Sequence, residues 1–89
     1  MTPRYRRGAG VEERRLGSAV FLAHPERGGI FRLNDTGSAL WRLLEQPITP
    51  AAAVRVFRQA FPETPAADVH EGVLGLLDAL VEDGLVEEA

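Results

Sequence analysis

Two histidines, His24 and His70, and two serines, Ser18 and Ser38, are the side chains from which a nucleophilic or metal site would have to be built. His70-Glu71 begins the H-E-x-x-H pattern, which sets two zinc ligands one helical turn apart, but Leu74 stands where the second histidine is needed. Neither serine lies in a G-x-S-x-G elbow. Gly8-Ala9-Gly10 opens like a phosphate-binding glycine loop, yet Glu13 occupies the place of the third glycine. Cysteine and lysine are both absent, which removes disulfides, thiolate ligands, Schiff bases and the phosphate-gripping lysine. Carboxylates are plentiful, but their helical spacing describes a solvated face rather than an acid/base pair. The sequence reads as non-catalytic, with no cofactor and no metal.

With 89 residues and a 45% apolar share, the chain has room for one compact domain. All ten basic residues are arginine and the net charge is −3, a poor basis for neutralising nucleic-acid phosphates. No apolar run approaches the roughly 18 residues of a membrane span. Residues 1–10 are basic and lack the apolar stretch of a signal peptide. The expected location is the cytoplasm, away from membrane and nucleic acid.

Residues 1–10 carry Arg4, Arg6 and Arg7 with glycines and no apolar period, so they read as a flexible basic arm preceding a domain over 11–89. Val11–Leu16 is a weak candidate strand. Ser18–Ala23 is stronger, with Val20 and Leu22 on one face. His24-Pro25-Glu26-Arg27-Gly28-Gly29 is a turn by composition, and Ile30–Leu33 completes a hairpin. The period then changes. Asn34 or Asp35 caps a helix carrying Leu40, Trp41, Leu43 and Leu44, which stops at Gln46-Pro47. Thr49-Pro50 starts a second helix with Ala53, Val54, Phe57, Ala60 and Phe61 on its apolar face. Thr64-Pro65 repeats that signal for a third helix ending near Asp83, with Gly84 past its end. The fold class is α+β: a three-stranded antiparallel sheet followed by three helices, winged helix-turn-helix-like.

The third helix carries more apolar surface than one core needs. At about 100° per residue, Leu76, Val69, Leu80, Val73, Leu77, Val81 and Leu74 fill an arc of roughly 160°, against about 100° for a surface helix. Asp68, Glu71, Asp78, Glu82 and Asp83 supply the polar remainder. Either the small domain wraps this helix completely, or the edge at Leu74, Leu77 and Val81 beside Asp78 lines an open groove. Ile30–Leu33 is the last strand of the meander, and Arg32 is its one edge-blocking charge. If neither Leu85-Val86 nor a second copy of the chain covers that edge, a peptide can add to it as an extra strand, its alternate side chains turned toward the helix. The competing readings are a winged-helix DNA-binding module and a homodimer joined at this edge. Against DNA, the third helix has acids and no base.

Phe31-Arg32-Leu33-Asn34-Asp35-Thr36-Gly37-Ser38-Ala39-Leu40-Trp41 is the stretch that resembles a known family. An aromatic-x-Leu-Asn strand end runs into a helix with Thr-Gly and an apolar-Trp pair. Leu80-Val81-Glu82-Asp83-Gly84-Leu85 matches the L-x-x-x-G-L ending of that family's third helix. The chain is similar, over Leu16 to Val86, to the PqqD-like proteins, also called RiPP recognition elements. Tyr5-Arg6-Arg7-Gly8 also looks like the start of true PqqD proteins. The resemblance implies a peptide chaperone that binds the leader of a ribosomally synthesised precursor peptide. It implies presentation to a modifying enzyme, a radical SAM protein or a leader peptidase, as in PQQ or lasso peptide biosynthesis. It implies docking on the third strand, through Gly29, Ile30, Phe31, Arg32 and Leu33. On the third helix the contacts chosen are Leu74, Leu77, Asp78 and Val81.

Overall fold

The computed structural model describes residues 2–89. Its elements run β1 (Tyr5–Arg7), β2 (Glu12–Leu16), β3 (Ala19–Ala23), β4 (Ile30–Leu33), α1 (Asp35–Leu43), α2 (Pro50–Ala60), α3 (Ala66–Glu82) and β5 (Val86–Glu88). β2, β3 and β4 form an antiparallel sheet in that order, with Val20 opposite Leu33 and Leu22 opposite Phe31. Period-two alternation turns Val20, Leu22, Phe31 and Leu33 toward the helices. Phe21, Ile30 and Arg32 face the other way. The three helices cover the inner face, and Leu22, Leu40, Trp41, Leu44 and Leu85 are its fully buried large side chains.

Local chemistry accounts for the helix ends. The Asn34 side chain accepts from the Gly37 amide at 2.7 Å, and Thr49 accepts from Ala52 at 3.1 Å with Pro50 in the first turn. Gly84 ends α3 in the left-handed region at φ +74°. The expected hydroxyl cap at Thr64 is corrected: Pro65 holds the N-cap position, and no side chain caps α3. No basic residue sits in the last turn of α3. Arg27 of the β3–β4 loop supplies one instead, donating to the Glu82 carbonyl at 2.7 Å.

A second correction concerns the chain ends. Residues 5–7, expected within a flexible arm outside the domain, form β1 and pair antiparallel with β5, Arg6 opposite Glu87 and Arg7 opposite Val86. Tyr5 also exchanges backbone hydrogen bonds with Ile48, at 2.8 and 2.9 Å. Arg7 fixes the strand to the core. Its guanidinium lies 4.6 Å from the centroid of the Trp41 ring and donates twice to the Trp41 carbonyl, at 3.1 and 2.8 Å. The indole N–H donates to Glu13 at 2.7 Å, and Glu13 accepts from Arg15 at 2.7 Å. One network therefore ties β1, α1 and β2 together.

That network sets two expectations. Arg7→Ala strips a charged donor and the stacked cation from Trp41, and should cost about 2 kcal/mol in urea denaturation. The Arg15 guanidinium, and after it the Trp41 indole N–H, hold the Glu13 carboxyl below its ordinary value of 4.5. Because the native value lies below the unfolded one, the ionised form stabilises the fold fully above 4.5. This contribution disappears as pH falls through the lowered native value. The stability gap between the native chain and Glu13→Gln should therefore shrink on acidification, read as converging urea midpoints.

Candidate functional site

β4 has a partner on one side only. β3 takes its inner edge, and β5, the segment that could have covered the outer edge, is committed to β1. Among the described residues, no backbone hydrogen bond reaches β4 from outside its own sheet. The outer edge of Ile30–Leu33 is thus a row of free donors and acceptors, and backbone groups in that state recruit another extended segment. The turn leading into it is built for its position. The His24 imidazole Nδ1 accepts from the amides of Glu26 and Arg27, at 3.1 and 3.3 Å, and Gly28 and Gly29 follow at φ +70° and +81°. His24, read from the sequence as a loop residue, organises this turn.

The strand residues differ in what they offer. Phe31 is half-buried on the inner face, and the Leu33 side chain is core at 8% exposure. Ile30 is 75% exposed and Arg32 is exposed, both on the outer face. Gly29 is exposed and leads into the edge.

α3 is tied to the β3–β4 hairpin at its C-terminal end by Arg27. Its backbone approaches α2 closely and stays largely clear of β4. Only Val69, Val73, Leu77 and Leu80 are buried, about 80° of the apolar arc. The surplus expected from the sequence therefore exists. Leu74 is half-buried, Val81 is 37% exposed and Asp78 is exposed, all on one flank. Leu77 faces the core and stands behind that flank rather than on it. So the structure keeps Leu74, Asp78 and Val81 as surface groups and places the Leu33 and Leu77 side chains inside.

The opposite flank of α3 was not singled out from the sequence. Asp68, Val69, Gly72 and Val73 there join Thr36, Phe57, Phe61 and Thr64 around a cavity of about 210 Å³. A side chain at Gly72 would meet nothing within 4 Å. The signal lay in Gly72 itself, a helix-weakening residue in mid-helix. On the outer face of the sheet, Arg14, Leu16, Phe21, Leu22, Ala23 and Ile30 line an apolar hollow of about 320 Å³.

Charge divides the surface. Asp68, Glu71, Asp78 and Glu82 lie on α3 with no arginine among them, whereas Arg14 and Arg32 flank Phe21 on the outer sheet face. Among the described residues, no group of histidines and carboxylates is placed to hold a metal. No described helix is long and apolar enough to cross a membrane.

Comparison with known proteins agrees with this geometry. The family described as Coenzyme PQQ synthesis protein D (PqqD) matches residues 19–86. The chain is similar to the solved structure of TbiB1 in complex with the TbiA(beta) leader peptide. They share 26% identity and a TM-score of 0.81 over 92% of this chain and 94% of that one. It also shares the fold of lasso peptide synthetase B1 complexed with the leader peptide, at 20% identity and a TM-score of 0.78, over 93% and 96% of the two chains. No curated protein sequence gives a match.

An unpaired edge has a direct signature in amide exchange. β3 is bonded on both sides, so its amides should be uniformly protected, while β4 should alternate between slow and fast along Ile30–Leu33. Hydrogen exchange followed by NMR reads this; uniform protection of β4 would mean that its edge is covered.

Proposed function

The chain belongs to the PqqD family, and from that premise we propose that it is a non-catalytic peptide chaperone. It captures the leader segment of a ribosomally synthesised precursor peptide as a fourth strand on β4 and presents it to a modifying enzyme. The observation that carries this reading is the open edge of β4 in a chain whose last strand is bonded elsewhere. The solved neighbour at 26% identity holds a leader peptide, which supports the same role here. Backbone groups from Gly29, Ile30, Phe31, Arg32 and Leu33 meet the peptide. Leu74, Asp78 and Val81 contact its inward side chains, with Leu77 supporting them from the core. The modifying enzyme is a radical SAM protein or a leader peptidase acting in the cytoplasm.

One feature argues against DNA binding, and one measurement separates the dimer reading. A DNA-binding role would set the acidic α3 against phosphate, which repels it. A dimer joined at β4 would occupy the edge with the chain's own copy, so exchange protection of β4 would rise with protein concentration.

Reading the neighbouring open reading frames for a short precursor supplies synthetic leaders for the test. Binding should be lost with Phe31→Pro, which breaks the ladder, and unchanged with Arg55→Ala on α2. Circular dichroism must accompany the proline variant. A leader N-methylated at alternate residues tests the ladder with the protein unaltered, and should bind at least about tenfold more weakly than the parent. Full affinity in that peptide would end the strand-addition reading. The acidic row of α3 favours a leader with Lys or Arg beside its apolar anchors, so affinity should fall with added salt in a titration.

A further inference from the structure

Cross-strand rows on the outer sheet face run straight to the open edge. Arg14, Phe21 and Arg32 are directly opposite one another on β2, β3 and β4, and Glu12, Ala23 and Ile30 form the adjacent row. Arg14 is already engaged, 3.5 Å from Glu12 and donating to the Glu13 carbonyl. Arg32 is not. Among the described residues it takes part in no ion pair and no side-chain hydrogen bond. Asp35 lines the same shallow cavity of about 380 Å³ without pairing with it.

A strand added to β4 places one residue directly opposite Arg32, with Cβ atoms about 5 Å apart and pointing to the same face. A carboxylate there meets a guanidinium in the geometry that favours paired hydrogen bonds. The outward residue on the other side of it falls opposite Ile30, which is 75% exposed at the rim of the apolar hollow of about 320 Å³. The inward residues face half-buried Phe31 and the Leu33 position.

We infer that Arg32 is a specificity-determining residue of the β4 edge, and that the captured segment carries an acidic side chain opposite it within an otherwise apolar stretch. This rests on the strand-addition reading above and deepens it. Opposite Ile30, Phe31, Arg32 and Leu33 in turn, the segment reads apolar, apolar, acidic, apolar. Its basic residues belong on the inward face beyond this four-residue stretch, toward Asp78 and the other acids of α3. Segregation of charge by face gives the site a register lock. A slip of one residue turns the acid toward the acidic helix and the inward apolar groups toward water.

A display library of random linear peptides, panned against the native chain, Arg32→Glu and Arg32→Gln, tests this. The expected result with the native chain is enrichment of peptides with apolar residues at the two inward positions and Asp or Glu at the outward position between them. Arg32→Glu should exchange that acid for Lys or Arg, and Arg32→Gln should erase the preference. In binding titrations of a selected peptide, replacing the acid by Lys should weaken binding to the native chain about two- to fivefold and strengthen binding to Arg32→Glu. Enrichment of peptides with apolar residues two apart and the same charge preference on all three proteins overturns the role of Arg32 and leaves strand addition standing. Enriched peptides without apolar residues at that two-residue spacing, or no enrichment at all, overturn both.

Discussion

β5 pairs with β1 and not with β4, and that pairing decides what the molecule is able to do. Leu85 and Val86 are fully buried, so the C-terminal segment is held by the core beneath the strand as well as by its ladder. Arg7 anchors the other member of the pair through Trp41. With both chain ends bonded to each other, no other strand among the described residues closes the β2–β3–β4 sheet, and β2 and β4 each keep a free outer edge. The open edge of β4 is therefore a consequence of how the termini are satisfied.

Much of this was legible in the sequence where local chemistry sets local structure. Asn34, Thr49 and Gly84 mark three helix boundaries because capping involves only a few neighbouring residues. Alternation in Ala19–Ala23 and the turn at His24–Gly29 placed the hairpin for the same reason. β1 was missed, and β5 was foreseen only as a short extended segment at Leu85-Val86, because each is three residues long and neither alternates apolar with polar. Their pairing joins positions more than eighty residues apart, as the Arg6–Glu87 contact shows, and only the basic start and acidic end of the chain hinted at it. β2 was weakly marked because its inward residues, Glu13 and Arg15, are charged. Glu13 faces inward to accept from the indole of Trp41, and Arg15 donates to Glu13, a requirement visible only once α1 lies against the sheet.

The same contrast holds at the site. Which strand carries the open edge followed from strand order. Which side chains of α3 reach the surface did not, since an apolar arc of roughly 160° gives no sign of where its buried part ends. Packing against α1, α2 and the sheet decides that, and it takes Leu77 inside while leaving Leu74 and Val81 at the boundary. The glycines on the other flank keep the helix surface bare there. The result is a helix with an apolar shoulder, an acidic back and a smooth side, next to a sheet whose outer face is cationic at its middle.

Arg32 has a further effect on how copies of this chain meet in solution. An edge that accepts a foreign strand also accepts its own duplicate, and two antiparallel copies of β4 must match inner face to inner face. Sliding one past the other, the well-overlapped registers set Arg32 against its own counterpart or against Ile30. In the first, like charges confront each other; in the second, each guanidinium is laid over an aliphatic neighbour and loses hydration without gaining a partner. A single arginine within this four-residue strand thereby discourages edge-to-edge pairing of two copies of the free protein.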